Sequence, residues 1–491
     1  MWVNVGLSIA AILVILITHW IIKWRNPKCN GVLPPGSMGL PFIGETLHLL
    51  IPSYSLDLHP FIKNRIQRYG SVFRTSLAGR PVVISADPEL NNYVLSQEGK
   101  LVELFYLDTF SKICKHEGES RTNEAGGVHK YVRSTFLSQF GAEMLREKLI
   151  PQIEDFVTKT LNSWSSQDSV EVKLASSLMV LNFSAKQMFS YDAEKSSFNL
   201  GEKYTRVRDG LFSFPINIPG TTYYKCQQDQ KKVTDMLKDI FKEKRRDAKN
   251  ISGENDCKEK NGGGDLLDRI IRDMEKENFL SEEFIVQLLY VGIAATFESV
   301  SVIVALAFLL LEDHPHALQE MIAEQEAVLN KKRSENSPNR RLNWDDYKSM
   351  TFTLQVINET LRLGNGAPGL LRKALKDIEV KGKGYTIPAG WSIMLVTSAL
   401  HMNPNTFDDP LQFNPWRWKE LESHIIPKNF MPFGGGTRQC AGAEYSRVFL
   451  SLFFHVLLTK YRWTIIKREK VARNPVIGFG KGVHIKFSHK E

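Results

Sequence analysis

The chain has 491 residues, 43% hydrophobic and 24% charged, with 63 Lys and Arg against 54 Asp and Glu, a net charge of +9. That composition excludes a disordered or fibrous chain, and so mild a basic excess over this length does not call for nucleic acid. Five widely spaced cysteines, Cys29, Cys114, Cys226, Cys257 and Cys440, exclude a disulfide scaffold and a CxxC zinc module, and their odd number leaves at least one thiol free.

From Met1 to Ile22 there is no Lys, Arg, Asp or Glu, and Val5 to Ile22 is apolar apart from Ser8, Thr18 and His19. This is near the lower limit for one helical crossing of a bilayer, about 17–25 residues. Trp2, Trp20 and Trp24 mark its ends, and Lys23, Arg25 and Lys28 follow. Indoles favour the interface and positive charge stays inside, so the rest of the chain is expected on the cytosolic side. A cleaved signal peptide is the competing reading, but it needs a basic start and a small-residue cleavage site. Leu33 to Pro41 (LPPGSMGLP) then reads as a stiff, kinked connector.

Val72 to Ile84 reads as two short strands around Ala78-Gly79-Arg80, and Pro88 to Leu311 is mostly helical. Lys249 to Asp265 and Lys331 to Arg341 read as surface loops. Glu283 to Glu312 is apolar nearly all round, which predicts a long helix buried on every side. Glu298 interrupts it, leaving runs too short for a second membrane span. A carboxylate there is costly unless hydrated or paired, which makes Glu298 a functional candidate. Strands return near Tyr385 to Ile387 and Trp391 to Val396, and Ala443 to Lys460 is helical. The expected fold is mainly α with a minor β-sheet, in one large domain after a single N-terminal transmembrane helix.

The most informative stretch is Phe433-Gly434-Gly435-Gly436-Thr437-Arg438-Gln439-Cys440-Ala441-Gly442. Glycines allow a tight bend and close approach to a flat ligand. Cys440 precedes a helix, where dipole and backbone N–H groups favour thiolate. A lone thiolate suits an axial ligand to haem iron better than zinc or an iron–sulfur cluster. The competing reading is a Gly-rich turn with an incidental cysteine, or an anion loop.

The stretch matches F-x-x-G-x-R-x-C-x-G at every fixed position, and on this the chain resembles the cytochromes P450. The resemblance covers nearly the whole chain and implies the P450 fold. It divides the sequence into an anchor over 1–23, a Pro/Gly-rich hinge over 24–44 and a haem-thiolate catalytic domain over 45–491. It implies haem b with Cys440 as axial iron ligand, and Arg438, Arg133, His129, Arg372 and Phe433 about the cofactor. His129 stands where the family commonly has Trp. Glu359 and Arg362, as E-x-x-R, with Arg417 from a later loop, resemble the family's structural triad, though Trp416 stands where Glu is usual. Ala295-Thr296-Phe297-Glu298-Ser299 resembles the central-helix motif whose acid and hydroxyl relay protons during oxygen activation. Thr296 and Ser299 depart from the usual Gly and Thr, and both hydroxyls could instead bond back to helix carbonyls.

Phe214 to Thr221 and Cys440 to Glu444 resemble the plant P450s that oxidise sterols and triterpenoids, and Leu33 to Glu45 and Ser55 to Phe61 resemble triterpenoid oxidases. The implied reaction is hydroxylation, or further oxidation, of a triterpene skeleton of β-amyrin or cucurbitadienol type. The implied partners are O₂, NADPH–cytochrome P450 reductase and membrane lipid, on the endoplasmic reticulum with the catalytic domain cytosolic. Leu104, Phe105, Leu107, Phe214, Ala295, Phe297, Leu370, Ile477 and Phe479 are the expected pocket residues. Three alternatives stay open: a phytosterol or brassinosteroid-type hydroxylase, a P450-related peroxide isomerase or dehydratase, and a non-catalytic membrane haem protein.

Overall fold

The computed structural model describes residues 2–106, 127–211, 213–252, 264–334, 341–421, 424–474 and 476–490. The first helix, α1 (Trp2–Arg25), is long and apolar enough to cross a membrane, and none of Val5–Arg25 is buried against the rest of the chain. Its last turns meet the connector, where Trp20 stacks on Phe42 at 5.1 Å between centroids.

The connector is pinned, not loose. The amide of Arg74 donates to Pro35 O at 2.8 Å, and Gly44 bridges to Leu77. A Cβ on Gly36 would lie 2.0 Å from the Arg74 carbonyl oxygen, so only glycine lets the backbones approach this closely. These contacts cover the open edge of β1 (Val72–Leu77). Strand β1 pairs antiparallel with β2 (Arg80–Ser85) around Ala78 and Gly79, whose φ values of 50° and 73° are those of a two-residue hairpin turn. With β3 (Val102–Leu104), β4 (Leu370–Ala374) and β5 (Ser392–Leu395) they form a sheet of order β1-β2-β5-β4-β3.

The helices that place the site are α2 (Pro88–Ser96), α3 (Gly127–Phe140), α4 (Ile150–Ser165), α5 (Val172–Phe189), α6 (Leu200–Leu211) and α7 (Thr222–Ser252). They are followed by α8 (Glu282–Asp313), α9 (Pro315–Ser334), α10 (Thr351–Gly364) and α11 (Ala443–Lys460). Ser281 caps α8 by accepting from Phe284 N at 3.2 Å. Helix α8 is apolar enough to span a bilayer, but 72% of that window is buried, and it packs against α5, α7 and α10 as the axis of the main core. Two expected loops begin as helix: α7 runs to Ser252 and α9 to Ser334. Lys and Arg are good helix formers, so a charged surface segment need not be a loop.

Candidate active site

Ahead of α11 the cysteine loop closes on itself, with Cys440 N donating to Phe433 O at 2.9 Å. Gly434 and Gly436 take φ of 70° and 67°. A Cβ on Gly436 would sit 2.4 Å from Leu95 O, so this turn fits against α2 only with glycine. The Cys440 thiol is accessible to solvent although crowded by protein atoms. Burial pushes the thiol up, while the Gly442 backbone, Arg133 and Arg447 pull it down. The Arg447 guanidinium lies over the Phe433 ring at 4.7 Å. Among the described residues no three His, Cys, Asp or Glu side chains converge to hold a metal ion.

The expected cofactor cations come from three parts of the chain. Arg133, on α3, donates to Gln439 O inside the cysteine loop. Arg372, on β4, is buried, and Arg438, its side chain 8% exposed, meets it at Glu98, a residue that sequence reasoning did not single out. Glu98 lies 2.6 Å from Arg372 Nε and 3.2 Å from Arg438 Nε. Arg438 Nη2 is buried with no hydrogen-bond partner among the described residues. His129 lies one turn before Arg133; burial, then Arg438 and Arg133, lower its pKa against Glu98.

Helix α8 carries one exposed stripe in an otherwise buried wall. Ala295 and Ser299, at i and i+4, are exposed, with Gly292 and Thr296 partly so. A bare stripe in the middle of a core helix faces open space. Phe297 is off that stripe: it is 2% exposed and packs on Tyr204 at 6.3 Å, so it is core where a pocket wall was expected. Glu298 is not stranded in apolar surroundings. Its side chain is 27% exposed, pairs with Lys173 on α5 and lies 3.6 Å from Arg208 on α6. Ser299 Oγ donates back to Ala295 O at 3.1 Å, and Thr296 Oγ1 to Ile293 O at 2.9 Å.

Glu359, Arg362 and Arg417 are buried together. Glu359 accepts from Arg362 Nη2 at 2.8 Å and Nε at 2.9 Å, and from Arg417 Nε at 3.1 Å. Trp418 Nε1 adds a further donor at 3.1 Å, and Asn414 N another at 3.0 Å. Arg362 also ties down the carbonyls of His401 and Pro410, at 2.8 and 2.7 Å. Trp416, in the place usual for Glu, points elsewhere and donates to Glu320 on α9 at 2.7 Å.

Leu104, Phe105 and Leu370 are half-buried near the sheet edge. Leu370 lies by the cysteine loop, its Cδ1 3.6 Å from where a Cβ on Gly434 would be. Ile477 and Phe479 are buried in the same apolar core as Phe297. Phe214 is 77% exposed, a surface residue and not a pocket wall. Leu107 lies outside the described residues.

A helical body, a glycine-built loop presenting one thiol, and cations gathered beside it define a haem-thiolate site. Residues 34–480 match the sequence model of the family described as Cytochrome P450, and the chain belongs to that family. It is 50% identical over 491 residues, and over 100% of both chains, to cucurbitadienol 11-hydroxylase of Siraitia grosvenorii. It is 50% identical over 490 residues, again 100% of each chain, to beta-amyrin 16-alpha-hydroxylase of Maesa lanceolata. The fold matches that of retinoic acid-bound cyanobacterial CYP120A1 with a TM-score of 0.79 at 23% identity, over 94% of this chain and 100% of that one. The protein is a cytochrome P450 monooxygenase that uses haem, O₂ and a redox partner.

The residues present fit haem. Arg133, Arg372 and Arg438 outnumber Glu98 three to one, an excess that two propionates would balance. The unpartnered Arg438 Nη2 is a donor awaiting such an anion. Cys440 would hold the iron through its sulfur, and Ala295 and Ser299 are the exposed small residues of α8.

Proposed function

We propose that this monooxygenase hydroxylates a triterpene skeleton of cucurbitadienol or β-amyrin type. The observation that carries the reading is 50% identity across the full chain to two hydroxylases named for those substrates. Cys440 would hold the haem, which would supply the oxygen-activating chemistry. Arg133, Arg372 and Arg438, with His129, would hold its propionates, and Phe433, which closes the cysteine loop through its carbonyl, would flank it. Ala295, Leu104, Phe105 and Leu370 present apolar surface with few polar anchors, which suits a ring system that is nearly all hydrocarbon. Glu298 and Ser299 form the proton path. Ser299 Oγ leaves its bond to Ala295 O to pass a proton, and the partly exposed Glu298, beside Lys173 and Arg208, takes one up from solvent and restores it.

The reductase is the NADPH-dependent one of the endoplasmic reticulum, with α1 across the membrane and the catalytic body in the cytosol. Exposed apolar side chains outside α1, among them Phe42, Leu47, Ile51, Phe214 and Ile218, support a body resting on lipid, where such a substrate partitions. The test is co-expression with a plant reductase in hosts making cucurbitadienol, β-amyrin or a phytosterol. An oxidised triterpene with the sterol untouched is expected. Turnover of the sterol alone would replace triterpene by phytosterol, and product without any reductase would favour a peroxide isomerase.

A further inference from the structure

Glu98 lies just past α2, in the turn that leads into β3, and its side chain is 3% exposed. One oxygen, Oε1, lies 3.2 Å from Arg438 Nε and accepts from Leu104 N at 3.1 Å. The other, Oε2, lies 2.6 Å from Arg372 Nε, close but not aligned for a hydrogen bond. Arg372 is itself opposite Leu104 in the pairing of β4 with β3. One carboxylate therefore holds the cysteine loop, the β4 arginine and the strand carrying Leu104.

We propose that Glu98 is the positioning residue of the haem seat: it fixes Arg372 and Arg438 for the propionates and sets the charge around the haem. The inference rests on the haem position read above. Two buried guanidiniums repel each other and stay together only beside an anion. Before haem enters, Glu98 is the carboxylate that contacts both. With haem bound, three arginines less one carboxylate leave two positive charges for two propionates. Neutralising Glu98 leaves one positive charge over. Reduction of the haem adds a negative charge, so that surplus favours the ferrous state.

The test uses the full-length haem-loaded protein with Glu98→Gln and Glu98→Asp. Glu98→Gln is expected to move the ferric–ferrous midpoint to more positive potential and to release haem to apomyoglobin about tenfold faster, the loss of one charge-assisted hydrogen bond. Glu98→Asp keeps the charge and is expected to restore the wild-type potential. A midpoint in Glu98→Gln that is unchanged or more negative overturns the proposal. So does a shift in Glu98→Asp as large as in Glu98→Gln. Should Glu98→Gln hold no haem, retention by Glu98→Asp supports the proposal and equal loss overturns it. Wild-type protein lacking the thiolate-type carbon monoxide Soret band would remove the haem seat itself, a separate failure seen before any variant is compared.

Discussion

Arg208, near the end of α6, reaches Glu298 in the middle of α8 at 3.6 Å, so the acid of the central helix is tied to a helix beyond the core wall. Lys173 on α5 holds the same carboxylate from another side. Burial works against the Arg208 charge, yet Asp209 and Glu298 raise its pKa. The two cations offset the cost of placing a carboxylate in an otherwise apolar helix.

Glu298→Gln should therefore lower product formation by about 10- to 100-fold, within the range for loss of a proton-transfer group, and raise the solvent deuterium isotope effect. Arg208→Ala should cost only about threefold, as a partly exposed ion pair does. Turnover of both with a reductase and substrate in H₂O and D₂O checks this. An unchanged rate in Glu298→Gln would remove the acid from the proton path.

Ser299 is exposed on the open stripe, and its hydroxyl rests on Ala295 O. Ser299→Ala should keep NADPH consumption while product falls and hydrogen peroxide rises. Ser299→Thr should recover coupling, because β-branching restricts the hydroxyl's rotamers. The ratio of product to NADPH consumed reads both. Equal coupling in Ser299→Ala and wild type would mean the hydroxyl serves only the helix.

Glu359 and Arg362 are fully buried, and Arg417 is nearly so. Removing the carboxylate in Glu359→Ala leaves Arg362 and Arg417 as unpaired buried charges, a loss of about 3–5 kcal/mol that should abolish haem incorporation. Trp418→Phe removes one indole donor to Glu359 and should cost about 1 kcal/mol while keeping the carbon monoxide Soret band. Thermal melting and haem content distinguish the two. If Trp418→Phe melts like wild type, the indole bond contributes nothing.

Acid should destabilise the protein through buried histidines. Burial, then Lys460, lowers His455 to about 4, and burial, then Arg362, lowers His401 to about 3. Both lie below the unfolded value of about 6.5, so the unfolded chain binds the extra protons as pH falls. The stability these groups contribute is full above that value and is lost as pH drops from it toward their folded values. For His455 the whole effect is about 3 kcal/mol. Its ring pairs with Gln325 Oε1 at 2.7 Å, and Gln325 donates in turn to Thr353 at 2.5 Å. Urea midpoints between pH 7 and pH 5 should fall in wild type and fall less in His455→Gln. Parallel curves would show that His455 is not a source of the loss.

Cys440→Ala should eliminate the thiolate-type Soret band, whereas Cys29→Ser should leave it intact. Cys29 is partly exposed and meets Thr386 O at 3.8 Å, far along the chain from the loop. The carbon monoxide difference spectrum checks both. A normal band in Cys440→Ala would remove Cys440 as the iron ligand.

Much of this protein is legible before any coordinates. The apolar N-terminal helix, the β1–β2 hairpin, the long buried helix α8, the helix after the cysteine and the Glu359–Arg362 pair are local patterns, set by periodicity, turn residues and spacing within a few positions. The cysteine loop is legible for the same reason, since its glycines are demanded by backbone angles within one turn. What the tertiary structure decided are the partners. Glu98 meets Arg438 across 340 residues, Lys173 meets Glu298 across 125, and Trp418 meets Glu359 across 59. No period or spacing encodes such meetings, because they arise when separate elements pack. The same packing turned Phe297 into core, put Phe214 on the surface and raised the pKa of Cys440. Sequence alone therefore determined which chemical groups the chain carries and on which elements they ride. Packing of those elements determined which charges are paired, which side chains face open space, and thus where the chemistry has room to occur.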